Sequence, residues 1–389
     1  MMRITIHAPE GGRPAAPVAI PLPLERLDRG RMIGLLNLDT SEAKPVQVDS
    51  RGDVCWWEDA LADDEVRTYR LSGAGASADC QRVVVREFAD SAEIRQRDEP
   101  IATYRFGSEL SRPYLDALAT PRGLVVTSAG PEGPVAEHLV EGNHRSCWVG
   151  WADVDGVDHW SDARAHGVQR HRRFGLCVSG PVFGRLGALI DWLDADGRLQ
   201  FTEQRVFHFY SAPGPVRIID VAVRFGAPLT PLLARGEGAI GGSTRFGDTP
   251  DGGMCAVRVA RPLSVIGGGS VRNAHGETGQ EGCWGSPANW CDYSGSVDGV
   301  PAGIALFDCP FNVRHPTHWL ITESGIMAAN PFGLAEFVHA NDVQGGYVWH
   351  HNDVLMFRYR ILVYDGRLTA DQIEAHYRAS AKPVHVDIE

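Results

Sequence analysis

The sequence has no apolar run of the roughly 18 residues that a membrane helix needs, so no segment of it is expected to cross a bilayer. Its eight cysteines (Cys55, Cys80, Cys147, Cys177, Cys255, Cys283, Cys291 and Cys309) are scattered, without a CxxC pair or a tight framework, which points to reduced, mostly buried thiols. A formal charge of −12 comes without any basic block or stripe, and this argues against nucleic acid or an anionic membrane surface as a partner. The opening residues, Met1-Met2-Arg3-Ile4-Thr5-Ile6-His7, read as a strand and lack the apolar core of a secretory signal, so a cytoplasmic location is expected. There is no HExxH metal signature and no internal repeat. Gly267-Gly268-Gly269 lacks the strand-loop-helix setting of a phosphate-binding loop.

What the chain does have is strand punctuation. Short apolar alternations such as Val83-Val84-Val85, Gly123 to Val126, Val206 to Phe209, Val216 to Ile219 and Phe357 to Val363 are bounded by Gly, Pro, Asp and Asn. With 44 Gly and 24 Pro in 389 residues and little sustained helical periodicity, the class is mainly β, and a large sandwich fits better than a Rossmann or TIM arrangement. One helix is expected near the end of the chain, where Thr369 and Gln372 form a capping box ahead of Ile373, His376 and Tyr377, and it should lid an edge of the sheet. The small, polar stretch 72–80 is the best linker, dividing a small N-terminal β domain (1–80) from a large β domain (81–389).

The densest chemistry lies in residues 143–160, where His144-Arg145 stands beside Trp148, Trp151 and Trp160 and the acids Asp153, Asp155 and Asp158. Aromatic faces, guanidinium and carboxylate together suit a groove for a polyhydroxylated ligand, although a core strand with wet ends has the same composition. His144 and, upstream, His138 are candidates for proton transfer, ligand binding or metal binding, beside Glu137 and Glu141. Arg112 and Tyr114 sit where a planar cation and a phenol can address a ligand, or where Arg112 closes a salt bridge. Asp248, in a Gly/Asp turn, can bind a sugar diol. Trp290 and Asp292 alternate on one strand face, which is either a binding groove or core plus a turn cap. His315, fixed before Pro316 and beside Arg314, is a second acid/base candidate, or a histidine packed near Trp319. Glu203, Asp248, Asp292 and Glu323 are the carboxylates from which a glycosidase pair would have to come.

Taken in order, several of these segments resemble a family of bacterial proteins labelled PmoA-like, or "methane oxygenase PmoA". The resemblance rests on Arg112-Pro113-Tyr114 with Thr120-Pro121, on His144-Arg145 running to Gly156-Val157-Asp158, and on Phe246-Gly247-Asp248. It continues through Trp290-Cys291-Asp292-Tyr293-Ser294-Gly295, Asn312 with Arg314-His315-Pro316-Thr317, and Asn330-Pro331-Phe332-Gly333. It covers roughly residues 100–380. The resemblance implies a large β-sandwich akin to the galactose-mutarotase supersandwich, a sugar held on a concave sheet, and a pathway link to a sugar dehydrogenase. Methane oxidation is set aside, because the chain has no spanning segment and no matching ligand set. The family's Asp-His-Pro-His-His-Arg-like run is altered here: His144-Arg145 keep its end, but Asn143 stands where a histidine is usual, which counts against a metal site built on the whole cluster.

The expectation is therefore a carbohydrate-active enzyme acting on a glycoside or keto-sugar by acid/base chemistry: cleavage, elimination or epimerisation. His144, His315, Asp292 and Glu203 are its candidate catalytic groups. Arg112, Tyr114, His138, Arg145, Trp148, Asp248, Trp290 and Arg314 are its candidate sugar contacts. No cofactor is required by this chemistry, and a divalent metal stays open. The alternatives are a non-catalytic carbohydrate-binding protein and, below it, a metal-dependent oxygenase-like enzyme.

Overall fold

The computed structural model describes residues 2–21, 34–72, 82–128, 130, 144–162, 165–226, 242–338 and 344–389. His138, the linker residues 73–80 and Cys80 lie outside them. The described chain is mainly β, arranged as three large sheets, in which every neighbouring pair of strands is antiparallel.

Two eight-stranded sheets form the sandwich. The front sheet runs His318–Ile321, Ile326–Asn330, Gly252–Arg258, Cys147–Trp151, Tyr114–Asp116, Glu99–Arg105, Ser91–Gln96, Val83–Glu87. The back sheet runs Val168–Phe174, Phe183–Leu193, Leu199–Tyr210, Val216–Gly226, Leu355–Asp365, Val300–Asp308, Trp290–Val297, Ser270–Asn273. The two-residue period of a strand explains the packing. Cys147, Val149 and Trp151 of the front sheet and Phe201, Phe207, Phe209, Val221, Val223 and Phe225 of the back sheet point inward into one core. Trp148 and Tyr114 therefore project from the other face of the front sheet, with Ala256, Leu320, Ile326 and Ala328. Gly123 to Val126, expected as a strand, makes only an isolated bridge, Ala119 to Val125.

The helix Ala370–Ala381 has the expected capping box, with Gln372 N donating to Thr369 Oγ1 (3.2 Å) and Thr369 N to Gln372 Oε1 (2.9 Å). It covers a face rather than an edge: Ile373 and Tyr377 pack on Trp290, Phe307, Leu362 and Tyr364 of the back sheet's outer side. A seven-stranded sheet with its own small core around Ile4, Ile6, Val54, Trp56 and Tyr69 forms the N-terminal unit. That unit also includes the strand His385–Ile388, which pairs with Arg3–His7, so a boundary at residue 80 does not enclose it. Gln47 ties it to the back sheet by accepting from Val182 N (3.2 Å) and Phe183 N (3.1 Å). No helix among the described residues is long and apolar enough to cross a membrane. The seven described cysteines are unpaired.

Candidate active site

Five of the candidate residues meet on the outer face of the front sheet. His144 enters the strand Cys147–Trp151, and its ring lies flat on Trp148, with centroids 5.0 Å apart and planes within 8°. Trp160 closes over both, 4.6 Å from His144 and 5.2 Å from Trp148. The segment carrying Trp160 is folded by Asp158, whose Oδ1 accepts from Trp160 N (2.7 Å) and Ser161 N (2.9 Å). It can lie on the strand because residue 150 is glycine: a Cβ there would stand 2.7 Å from the His159 carbonyl oxygen.

Arg112 reaches this segment from the turn before Tyr114–Asp116, donating to the Ser161 carbonyl (3.1 Å) and to Asp162 Oδ1 (2.6 Å). Arg145 lies over the Tyr114 ring, 5.9 Å from its centroid. Between them opens a cavity of about 150 Å³ lined by Glu109, Leu110, Ser111, Arg112, Tyr114, Arg145, Trp148 and Asp162. Glu109, Asp162 and Ser111 were not singled out in the sequence. Asp162 lies two residues beyond the conspicuous Trp/Asp stretch, and nothing in its local sequence marks it.

The electrostatics of His144 are unusual. It is 3% exposed, and burial first, then the charges of Arg112 and Arg258, push its pKa down to about 3. Its imidazole is therefore neutral at neutral pH. A hydrogen bond with the Trp160 backbone and the charge of Asp158 oppose this shift. The Trp148 indole nitrogen, in a ring only 1% exposed, is buried without a partner. Buried polar groups are normally paired, and the Trp148 nitrogen is an exception. Trp148 offers no open face for stacking, contrary to the expectation, because His144 covers it.

The other candidates go elsewhere. Glu203 is not a ligand group: it is fully buried between the sheets, where Arg205 donates to both its oxygens (2.6 and 2.8 Å) and Trp192 Nε1 to Oε2 (2.8 Å). Asp292 is buried under the helix side of the back sheet, accepting from Arg272 Nε (3.0 Å) and Tyr364 OH (2.7 Å), and burial raises its pKa to about 6. Trp290 packs beneath the helix and donates to Glu374 (2.8 Å). His315 Nδ1 meets Asp308 Oδ2 at 2.8 Å and its Nε2 faces Tyr377 OH at 3.4 Å, on the back-sheet side. The sandwich thus separates His315, Asp292 and Trp290 from His144. Asp248 and Arg314 fasten loops: Asp248 accepts from Ala335 N (3.0 Å) and Gly345 N (2.5 Å), and Arg314 donates to the carbonyls of Pro331, Gly345 and Gly346 while lying over Phe332. Glu203, Asp248 and Asp292 therefore do not face one ligand as a glycosidase pair must.

Among the described residues no three His, Cys, Asp or Glu donors converge at His144. The neighbouring cavity wall carries both signs of charge, Arg112 and Arg145 with Glu109 and Asp162.

The fold and the cleft define an antiparallel β-sandwich protein with an arginine-flanked, neutral histidine on its front face. Residues 91–378 match the model of a family of unknown function, DUF6807, and the chain belongs to that family. The matched span includes every described residue of the His144 cleft. No curated protein matches the sequence.

Proposed function

We propose that the chain is a carbohydrate-active enzyme that moves a proton on a keto-sugar or glycoside bound at the His144 cleft. The observation that carries this reading is the neutral imidazole of His144, stacked on Trp148, which lines a cavity together with Arg112 and Arg145. A C–H next to a sugar keto group is acidified. A neutral histidine can accept that proton, and a guanidinium of the neighbouring cavity wall can stabilise the enolate that forms. Arg145 suits the second task, since its only described contact is with the Tyr114 ring, whereas Arg112 is engaged by Asp162. An arriving negative charge would also offset the guanidinium field that depresses the imidazole pKa, making His144 a stronger base when the site is filled. Elimination of a glycoside or epimerisation would follow from the same enolate. The sugar chemistry itself rests on the Trp/Arg/His/Asp composition and on the PmoA-like resemblance.

A non-catalytic sugar-binding role is favoured by one fact: His144 does not line the cavity and both its ring nitrogens are buried, so a ligand there meets Arg112, Tyr114, Arg145 and Trp148. Proton NMR of the protein in deuterated buffer with glycosides and their 3-keto derivatives separates the two. Loss of ring C–H intensity or bond cleavage is expected, falling by about 10² or more in His144→Ala with the fold intact. Ligand broadening without chemical change would overturn the enzyme reading in favour of binding alone.

A further inference from the structure

We propose that His7, His385 and Asp387 form a zinc-class metal site on the N-terminal sheet, independent of the His144 cleft. The register places His7 directly opposite His385 on neighbouring antiparallel strands, and Asp387 lies two residues along, on the same face. The side chains already converge. His7 Nε2 stands 2.9 Å from Asp387 Oδ2, His385 Nε2 stands 3.3 Å from Asp387 Oδ1, and one ligating atom from each of the three falls within 4.8 Å of the others.

Those separations are near the ones a metal needs. Four ligands at about 2.0–2.1 Å in a tetrahedron stand roughly 3.3 Å from one another. The two short contacts fall on different oxygens of Asp387, so binding an ion requires the exposed side chains to rotate until one oxygen and both imidazole nitrogens face it. Two imidazole nitrogens and one carboxylate oxygen make a borderline donor set, which selects Zn²⁺ or a similar transition ion over Mg²⁺ and Ca²⁺, whose sites are built from oxygen. The side chains of His7, Asp387 and His385 are 38%, 55% and 73% exposed, leaving the fourth position to water.

The consequence is mechanical. Among the described residues His385–Ile388 lies at an edge of its sheet and pairs with Arg3–His7, and it follows the helix that covers the back sheet. An ion bridging both strands would fasten that edge. The three residues lie outside 91–378, so the site is a feature of this chain beyond the family match.

The test is equilibrium dialysis of the chelator-treated full chain against Zn²⁺, followed by thermal unfolding with and without the ion. One zinc per chain in the micromolar range is expected, with a rise in Tm, and Co²⁺ in its place should show the intense visible bands of tetrahedral coordination. His385→Ala and Asp387→Asn should each weaken uptake about tenfold or more and abolish the rise in Tm. Both residues are exposed, so matching melting curves in chelator establish that the variants fold. Zinc uptake equal in wild type and both variants, or none in wild type, would overturn the proposal.

Discussion

Arg205, from inside the sandwich core, donates to the backbone carbonyl of Pro113 at 3.1 Å, and so grips from behind the turn that presents Arg112 and Tyr114 to the cleft. Its charge is balanced by Glu203, and its remaining donor reaches Gln169 Oε1 (3.3 Å), whose Nε2 in turn holds the Val149 carbonyl (3.0 Å) of the strand carrying Trp148. Breaking a buried pair strands a charge. Glu203→Gln is therefore expected to cost about 3–5 kcal/mol in urea unfolding followed by Trp fluorescence. Replacing both partners, Glu203→Leu with Arg205→Met, should recover much of that loss while weakening ligand binding at the cleft, because the tether to Pro113 is gone. A single variant as stable as wild type would show that the pair contributes little.

Acid should destabilise the fold through its buried histidines. Burial lowers the pKa of His144 to about 3 and those of His159 and His376 to about 4. A histidine whose folded pKa is depressed takes up its proton first in the unfolded chain, so the stability it supports is complete above the ordinary value of 6.5 and is lost as pH falls towards the folded value. Stability by urea titration is thus expected to drop steadily between about pH 6.5 and 4. His144→Gln should make that drop shallower by one proton, and an unchanged slope would contradict the buried, neutral state.

The strands and the capped helix were legible because a two-residue apolar alternation and a capping box are local signals. Arg112, Tyr114, His144, Arg145 and Trp148 were each marked by a conspicuous local composition, but only the packing of neighbouring front-sheet elements sets them apart from the other candidates. Glu203, Asp292 and Trp290 looked the same in sequence, since an acid or a Trp on a strand face carries no mark of which layer that face meets. Their assignment depends on Arg205, Arg272 and Glu374, which are brought to them by packing. The strand His385–Ile388 was illegible as part of the N-terminal sheet for the same reason: its partner, Arg3–His7, is at the far end of the chain.

Asp292 should give a pH dependence of the opposite sign. Burial raises its pKa to about 6 in spite of Arg272 and Tyr364, so the folded chain holds a proton that the unfolded chain releases near the usual carboxylate value of 3.8. Its contribution is complete at low pH and is lost as pH rises through about 6. Asp292→Asn has no such proton to lose. The stability advantage of wild type over this variant is therefore expected to shrink between pH 4 and 7, measured by parallel urea titrations at about one-unit pH steps. A gap that widens with pH would mean the Arg272 ion pair outweighs burial.

Arg112 acts on His144 in two ways, through its charge and through the cover it holds in place. Its charge is the second largest cause of the depressed imidazole pKa, after burial. Its bonds to the Ser161 carbonyl and Asp162 hold the segment whose Trp160 covers the ring. Arg112→Gln removes the charge and loosens the cover, and both changes favour the imidazolium. The pKa of His144, followed by NMR of histidine-labelled protein, is expected to climb from about 3 towards the ordinary 6.5. The same variant should bind an anionic sugar derivative more weakly, since a positive charge at the cavity wall is lost. If the pKa stays low while binding falls, burial by Trp148 and Trp160 alone sets the protonation of His144, and Arg112 serves the ligand only.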